Sequence, residues 1–589
     1  MTQRIATDLH LDGTGWQALE RTVQRLITAQ GYTGVQLVGA SGDGGADVIA
    51  TRGGRRWLFQ VKRWRLPVGP DVIAQTVAAC RRYDADIPVV VSTSGFDPSV
   101  RMQQEQLVAR GLKLQLWDRR TLLRQAERVP AEPLSQRDPD RYQLRSYQVA
   151  AVDGMMGELV NGARSSLVVL ATGLGKTFVA AEFYRRYAAA RPDIKALVLA
   201  HRNELVYQLE RSFWPMLPAS CSTGVWNGSE RPGPGVLADL DIVFACVDSV
   251  AGAVSSGRPL PDYGLVIVDE CHHLGTSTYN TVLKELSAGS GGAFLVGMTA
   301  TPWRPDGTAL SHWFDFPIVN VDMVRGLRDG YLANVDYRMY TDNIDWDSLT
   351  AGNPGSSGPT LTPRGINRTL FIDEWDDAVA ERLAEAWCEQ SRPRAIVFCG
   401  TIDHAERMAG RINALGFTSA EVIASRTSSG KAVDTATRGR ILWDFADGRT
   451  GVLCAVDVLN EGVDVPDVNI VVFQRVTHSR RIFVQQLGRG LRLSPGKERV
   501  IVLDFVSDIR RFAAGLGLQE SLATSGGNRD ARVSIGSRVT FMRANSEDRQ
   551  GAQFLREWLG DLDAVESAGE DTHILRYPPD DILAKAVKR

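Results

Sequence analysis

No stretch of this chain is apolar for the ~18 residues that a membrane-crossing helix needs; its longest apolar runs are strand-sized. The opening MTQRIATDLHLDGTGW has no apolar core of a secretory signal. The seven cysteines are scattered, with no CxxC pair. That argues against a zinc ribbon or a disulfide framework and fits a reducing cytoplasm. Net charge is also nearly absent, at -2 over 589 residues, so bulk charge names no polyanionic partner. The expectation is a cytoplasmic globular protein, 44% hydrophobic and 23% charged, long enough for several domains. The charge is unevenly placed. Residues 1–130 hold 18 Lys+Arg against 12 Asp+Glu, a basic front end suited to phosphate contact.

Patterning divides the chain. The front end, 1–128, mixes a helix-spaced WQALERTVQRLITAQGY (16–32), a hairpin, a second helix DVIAQTVAACRRY and a buried-strand run IPVVVST. A polar, proline-containing linker, 129–140, follows. From 141 to 325, β-branched runs alternate with helical stretches (SLVVLAT, ALVLAH, DIVFAC, LVIVDE, AFLVGMTA), the pattern of a parallel sheet with crossover helices. An inter-domain linker, 326–371, contains AGNPGSSGPT. The alternation resumes over 372–512 with AIVFCG, GVLCAVD, IVVFQRV and RVIVLDFV, and the tail 513–589 carries no legible chemistry.

ATGLGKT (171–177) lies between a strand run and a helical run, the context a phosphate-binding loop requires. Thr172, Gly173 and Gly175 would let backbone N–H groups approach phosphates, Lys176 would reach the β/γ-phosphates, and Thr177 would ligate Mg²⁺. The strict GxxxxGK[ST] pattern fails at its first position, Leu170. LVIVDECHH (265–273) ends a buried strand with Asp269, a metal-holding carboxylate, and Glu270, which would orient and deprotonate water. In QQLGRGLR (485–492), Arg489 and Arg492 are three apart and would share a helix face, offering fixed positive charge to a phosphoryl group held by the other half.

The stretch DVIATRGGRRWLFQVKRW (47–64) reads as a hairpin turning at Gly53-Gly54, with Asp47 opposite Gln60. Gln60 and Lys62 then share one face. Asp47, the Gln60 amide oxygen and the Val61 carbonyl are hard oxygen donors for a divalent cation, and Lys62 could polarise water. Glu20, on the preceding helix, would return the negative charge that an amide at 60 lacks.

The order LRSYQ, ATGLGKT, AHRNELVYQ, DECHH, MTATPWR, AIVFCG, VLNEGVDVPDV, QQLGRGLR resembles the superfamily-two helicases, within them the DEAD/DEAH-type group of XPB-like enzymes and restriction-enzyme motor subunits. The resemblance implies that Gln148 reads adenine and that Gly462 and Asp464 lie near ATP in the closed state. It implies too that Arg202 touches the phosphodiester backbone, and that His272 with Thr299-Ala300-Thr301 couples hydrolysis to nucleic-acid contact. One block departs: ACVDSV (245–250) stands where many relatives are Thr-rich. Residues 10–125 resemble the Mrr-like restriction endonucleases of the PD-(D/E)xK fold, a likeness carried by Glu20, Asp47, Gln60 and Lys62.

The expected fold is α/β: a restriction-endonuclease-like domain, two tandem RecA-like parallel-sheet domains and a small C-terminal region. The expected function is an ATP-dependent DNA helicase or translocase coupled to a Mg²⁺-dependent endonuclease, acting on double-stranded DNA in restriction or anti-phage defence, with a partner of that system. The alternatives are a repair or remodelling helicase whose first domain only binds DNA, and an ATPase-switched DNA-binding protein.

Overall fold

A computed structural model of the chain describes residues 3–7, 15–38, 45–300, 310–321, 323–339, 373–433, 435–456, 468–474, 490–493, 497 and 499–505. The first sheet begins as an antiparallel meander of β1 (Thr33–Leu37), β2 (Val48–Arg52) and β3 (Arg55–Lys62). β4 (Ile87–Ser92) and β5 (Gln115–Trp117) extend it in parallel. The β2–β3 turn is Gly53-Gly54, with φ of 59° and 69°. Two consecutive positive φ values match the twist of the flanking strands and suit glycine. Val48 faces Phe59 and Arg52 faces Arg55, the register expected from that turn.

Strand alternation sorts the side chains of β3 onto two faces. Phe59 and Val61 join Leu19, Val23, Leu26 and Ile27 of the Trp16–Ala29 helix. Leu58 packs on the other face with Ala79, Cys80 and Tyr83 of the Asp71–Tyr83 helix. Gln60 and Lys62 share that second face.

The second sheet has seven parallel strands: β6 (Ser165–Leu170), β7 (Ala196–Ala200), β8 (Thr223–Trp226), β9 (Ile242–Cys246), β10 (Leu265–Asp269), β11 (Phe294–Thr299) and β12 (Pro317–Val321). Their order is β12-β6-β11-β10-β7-β9-β8. The third has six parallel strands: β13 (Asn334–Met339), β14 (Ala395–Phe398), β15 (Ala420–Ile423), β16 (Val452–Ala455), β17 (Ile470–Phe473) and β18 (Arg499–Asp504). They run β13-β18-β17-β14-β16-β15. Both are covered by helices on two faces, hence the near-continuous Val/Ile/Leu runs of their central strands. The architecture is the expected one: a mixed sheet followed by two parallel-sheet lobes.

Two connections differ from the simple linkers expected from the sequence. Residues 129–140 are folded: Val129 is buried in the N-terminal core, and single-turn helices occupy Leu134–Arg137 and Pro139–Tyr142. Within 326–371, β13 adds an edge strand to the second lobe. Leu327, Leu332, Ala333 and Val335 carry one hydrophobic cluster from the first lobe into the second. The remainder of that linker and the tail lie outside the described residues.

The N-terminal domain touches both lobes. On the first lobe, Arg21 is bracketed by Glu210 (2.7 Å) and Glu230 (2.5 Å), all three nearly out of solvent. Arg25 reaches the Cys221 carbonyl (2.5 Å) and the Thr223 hydroxyl (3.2 Å), and Arg4 reaches Asp239 and Asp241. On the second lobe, Trp443 of the Thr435–Asp447 helix completes the cluster formed by Ile49, Leu58, Ala79, Cys80 and Tyr83. The Arg56 guanidinium lies 5.2 Å from the Trp443 ring centre and bonds Asp447 at 2.6 Å. Gly439 passes so close that an added Cβ would lie 3.2 Å from the Leu37 carbonyl oxygen.

Removing Arg21 would leave two buried carboxylates facing each other, a loss of about 3–5 kcal/mol. Arg21→Ala is therefore expected to loosen the N-terminal domain, seen as a lower melting temperature and faster proteolysis near residues 129–140. An unchanged melting temperature and digestion pattern would refute this.

Candidate nucleotide and nuclease sites

The carboxyl ends of β6, β10 and β11 lie side by side, where open α/β sheets bind ligands. After β6 the chain turns through Thr172, Gly173 (φ 91°), Leu174 and Gly175 (φ 79°) into the Lys176–Ala190 helix. The helix N-terminus and the turn's amides make an anion cradle. The Leu174 carbonyl is held twice, by the Tyr147 hydroxyl (3.0 Å) and the Gln148 amide nitrogen (2.9 Å). Gln148 also accepts from the Arg145 N–H at 2.8 Å, so its amide braces the loop from beneath. Tyr147 in turn packs on Tyr331, at 4.5 Å between ring centres, while Arg145 bonds the Tyr331 carbonyl.

Lys176 Nζ sits 3.1 Å from Glu270 Oε1. Glu270 takes a left-handed backbone, φ 49°, which swings it off the end of β10 beside Asp269. Burial opposes its charge, but Lys176 and the His272 hydrogen bond prevail and hold it well below the usual carboxylate range. Burial, then the adjacent Glu270, push Asp269 up to about 6. His272 Nδ1 lies 3.2 Å from both Glu270 Oε2 and Thr299 Oγ1. An unbroken polar path thus runs from Lys176 to the end of β11. The His273 ring lies 4.3 Å from those of both His272 and His201, the residue before exposed Arg202. Sequence reasoning missed this histidine stack; the only signal was three histidines in two strand-end motifs.

Thr301, Gly462, Asp464 and Arg489 lie outside the described residues. Arg492 is half-buried beside buried Leu491, in non-helical backbone, so a helix face shared with Arg489 does not describe it. Thr177, on the first turn of its helix, is half-buried next to Lys176, and Ala300 is buried.

In the N-terminal domain Asp47 is buried, and its Oδ2 accepts the Val61 N–H at 2.5 Å. Gln60 is fully buried, between β3 and the Asp71–Tyr83 helix. Thr76 donates its one hydroxyl proton to the Val72 carbonyl (2.7 Å), so it cannot also donate to Gln60. The Gln60 amide therefore points its nitrogen at Val72 O (3.1 Å) and Thr76, and its oxygen at Lys62 Nζ, 3.2 Å away. Gly45 roofs this group: a Cβ there would lie 2.9 Å from the Gln60 amide. The structure thus joins Gln60 with Lys62 and ties Asp47 to the residue between them. Glu20 is buried on the helix that covers the opposite face of the sheet. Thr76 and Val72, which fix the amide, were not foreseen, because nothing in sequence pairs them with position 60.

The oxygen donors of Asp47 and Gln60 suit a hard divalent cation. Among the described residues no group of three His, Cys, Asp or Glu forms a metal cage, and no helix is long and apolar enough to cross a membrane. The Lys176 ammonium and the glycine cradle suit a nucleotide phosphate. At Gly175 an added Cβ would lie 2.5 Å from the Gln148 amide nitrogen and would meet an unfavourable φ. Gly175→Ala is expected to lower ATP affinity about ten-fold or more, measured by calorimetric titration; unchanged affinity would refute the bracing role of Gln148.

Comparisons with known proteins match families to all three regions. The family described as type III restriction enzyme, res subunit, matches residues 141–304. The helicase conserved C-terminal domain matches 378–494, and the Mrr-type restriction endonuclease family matches 11–125. A Schizosaccharomyces pombe protein, named as a mitochondrial ATP-dependent helicase, irc3, is 29% identical over 63% of this chain and 58% of its own length. The type I restriction enzyme EcoAI endonuclease subunit of Escherichia coli is 27% identical over 63% of this chain and 47% of its own. The DNA 3'-5' translocase XPB2 of Sulfurisphaera tokodaii is 26% identical over 62% and 81%. The chain thus spans about half the length of the first two relatives. By its motifs, its sheets and these three family matches, the chain is a superfamily-two helicase core fused to an N-terminal Mrr-like endonuclease domain.

Proposed function

We propose that this protein is an ATP-dependent DNA translocase or helicase coupled to a Mg²⁺-dependent DNA endonuclease, acting on double-stranded DNA in restriction or anti-phage defence. The observation that carries the reading is the placement of the Asp47–Gln60 hairpin. Its chemical end holds oxygen donors and Lys62, while further along the same face Leu58 packs on Trp443 of the second lobe. Relatives named as a restriction endonuclease subunit and as a DNA translocase support DNA as the substrate.

In the motor, the cradle amides and Lys176 would hold the phosphates, and Thr177 and Asp269 would hold a metal ion that offsets their charge. Glu270 stays ionised beside Lys176 and His272 and orients the attacking water. His272 passes any shift of Glu270 to Thr299, whose strand end, with Arg202, faces DNA. Gln148 contributes to the adenine side; Gly462, Asp464, Arg489 and Arg492 complete the site from the second lobe when the lobes close. The division of labour follows 1–128, 141–325 and 372–512.

In the nuclease, a divalent cation such as Mg²⁺ would supply a more acidic water and neutralise charge on the phosphate. Asp47 and Gln60 would hold it, Glu20 would have to join them around the end of the sheet from the helix on its opposite face, and Lys62, bonded to the Gln60 oxygen, would face the developing negative charge.

Plasmid DNA with Mg²⁺, with and without ATP, tests both halves. Asp47→Ala is expected to lose cleavage by about 100-fold or more while keeping ATPase activity. Lys176→Ala is expected to lose ATPase by about 100-fold or more. An absence of cleavage on every DNA form, with DNA-stimulated ATPase intact, would reduce the N-terminal domain to a binding module. Trp443→Ala opens a cavity against the Leu58 side of the hairpin. It is expected to change the ratio of cleavage with ATP to cleavage without it by about five-fold or more, with the ATPase rate preserved; an unchanged ratio would refute coupling through this contact.

A further inference from the structure

Between Val48 and Pro70 there are six Lys and Arg residues and no Asp or Glu. Arg56 is spent on the second lobe and Arg52 lies over the Tyr32 ring. Of the other four, Lys62, Arg63 and Arg65 flank one indole, Trp64, in sequence. Trp64 is 48% exposed and Leu66 75% exposed, directly after the end of β3 at Lys62. This exposure is built, because the loop is pinned at both ends. β3 holds its start. The Leu66 carbonyl accepts from the Ser94 hydroxyl at 2.9 Å, and Val68 exchanges backbone bonds with Gly95 and Asp97 at 3.0 Å each. A soluble domain gains nothing in stability by holding a tryptophan half in water two residues from half-buried Lys62.

The chemistry around Trp64 selects its occupant. Cations on either side of the indole in sequence match a chain of phosphates spaced by flat, apolar rings. In an intact duplex the base faces are covered by their neighbours, so an indole can stack only on an unpaired base. We propose that Trp64 stacks on an unpaired DNA base beside the phosphate addressed by Asp47, Gln60 and Lys62. Arg63 and Arg65 take the flanking phosphates, so the N-terminal domain prefers single-stranded or locally opened DNA to closed duplex. This rests on reading that domain as a nuclease, and it gives the motor a definite part in cleavage, since it opens the duplex that the nuclease then enters.

The test uses the full chain with an oligonucleotide carrying 5-iodouracil, single-stranded or in a blunt duplex, with Ca²⁺ in place of Mg²⁺ and no ATP. Photocrosslinking and peptide mapping of the wild type are expected to place the single-strand crosslink on Trp64. Trp64→Ala is expected to lose it and to cut single-stranded circles about ten-fold less relative to duplex plasmid, the scale of one stacked base. Trp64→Phe keeps most of both. Trp16→Ala, which removes an equally exposed indole (46%), leaves both unchanged. Normal ATPase and melting temperature certify the variants. A wild-type crosslink elsewhere, a protein contact in place of DNA, or an equal fall on single strands and duplex overturns the proposal even if the enzyme cleaves DNA. If no DNA is cut by any variant, the nuclease reading fails, and the wild-type crosslink alone still decides for or against the stacking site.

Discussion

A single guanidinium, that of Arg21, lies between Glu210 and Glu230, and the position of the N-terminal domain follows from it. Burial opposes that charge, but two carboxylates more than compensate, leaving Arg21 above the ordinary guanidinium range. Such an arrangement contributes geometry more than net energy, because desolvation consumes most of the Coulomb gain. What it fixes is the Trp16–Ala29 helix. With that helix seated on the first lobe, the sheet beneath it presents its other face, the one bearing Leu58 and Gln60, toward the second lobe. The two contacts are unlike. The first is a buried ion triad with further arginine bonds. The second is one tryptophan with a cation over its ring, one partly exposed ion pair, the close pass of Gly439 by Leu37 and a bond from Arg449 to the Arg82 carbonyl. Motion between the lobes would be taken up at the weaker contact, next to the hairpin.

The nucleotide site shows the same economy of parts. Lys176 and His272 share Glu270, one oxygen each. A change in the charge facing Lys176 therefore alters the pull on Glu270, and the change reaches Thr299 through one imidazole. No long-range wire is needed, since the three strand ends are neighbours in the sheet.

Much of this was legible in the sequence because it is local. The Gly53-Gly54 turn sets a register that no distant contact can alter, so the pairing of Asp47's strand with Gln60's could be read directly. The parallel strands announced themselves as short Val/Ile/Leu runs, and the strand–loop–helix around Lys176 needed only its neighbours. What stayed hidden depends on contacts between distant positions. Thr76 and Val72 meet Gln60 only after a crossover helix folds back; Trp443 reaches Leu58 from almost 400 positions away. The region 326–371 looked like a linker because Gly, Pro and Ser dominate its later part. Its first residues nonetheless contain β13, whose pairing partner β18 is remote in sequence. Glu20 could be assigned to a helix, but not to the face of the sheet that the helix covers.

The Leu174 carbonyl has two lone pairs, and Tyr147 and Gln148 occupy both. Through Tyr147, that carbonyl is in contact with Tyr331 on the segment that carries the chain into the second lobe. Equilibrium thermodynamics makes such a connection symmetrical. Whatever free energy a phosphate gains by settling the loop at Leu174 is the free energy by which the preferred angle at Tyr331 shifts, and the reverse holds equally. A load that bends the chain at Tyr331 must therefore register as a change in how tightly the loop grips its anion. The same few atoms act as lever and as gauge.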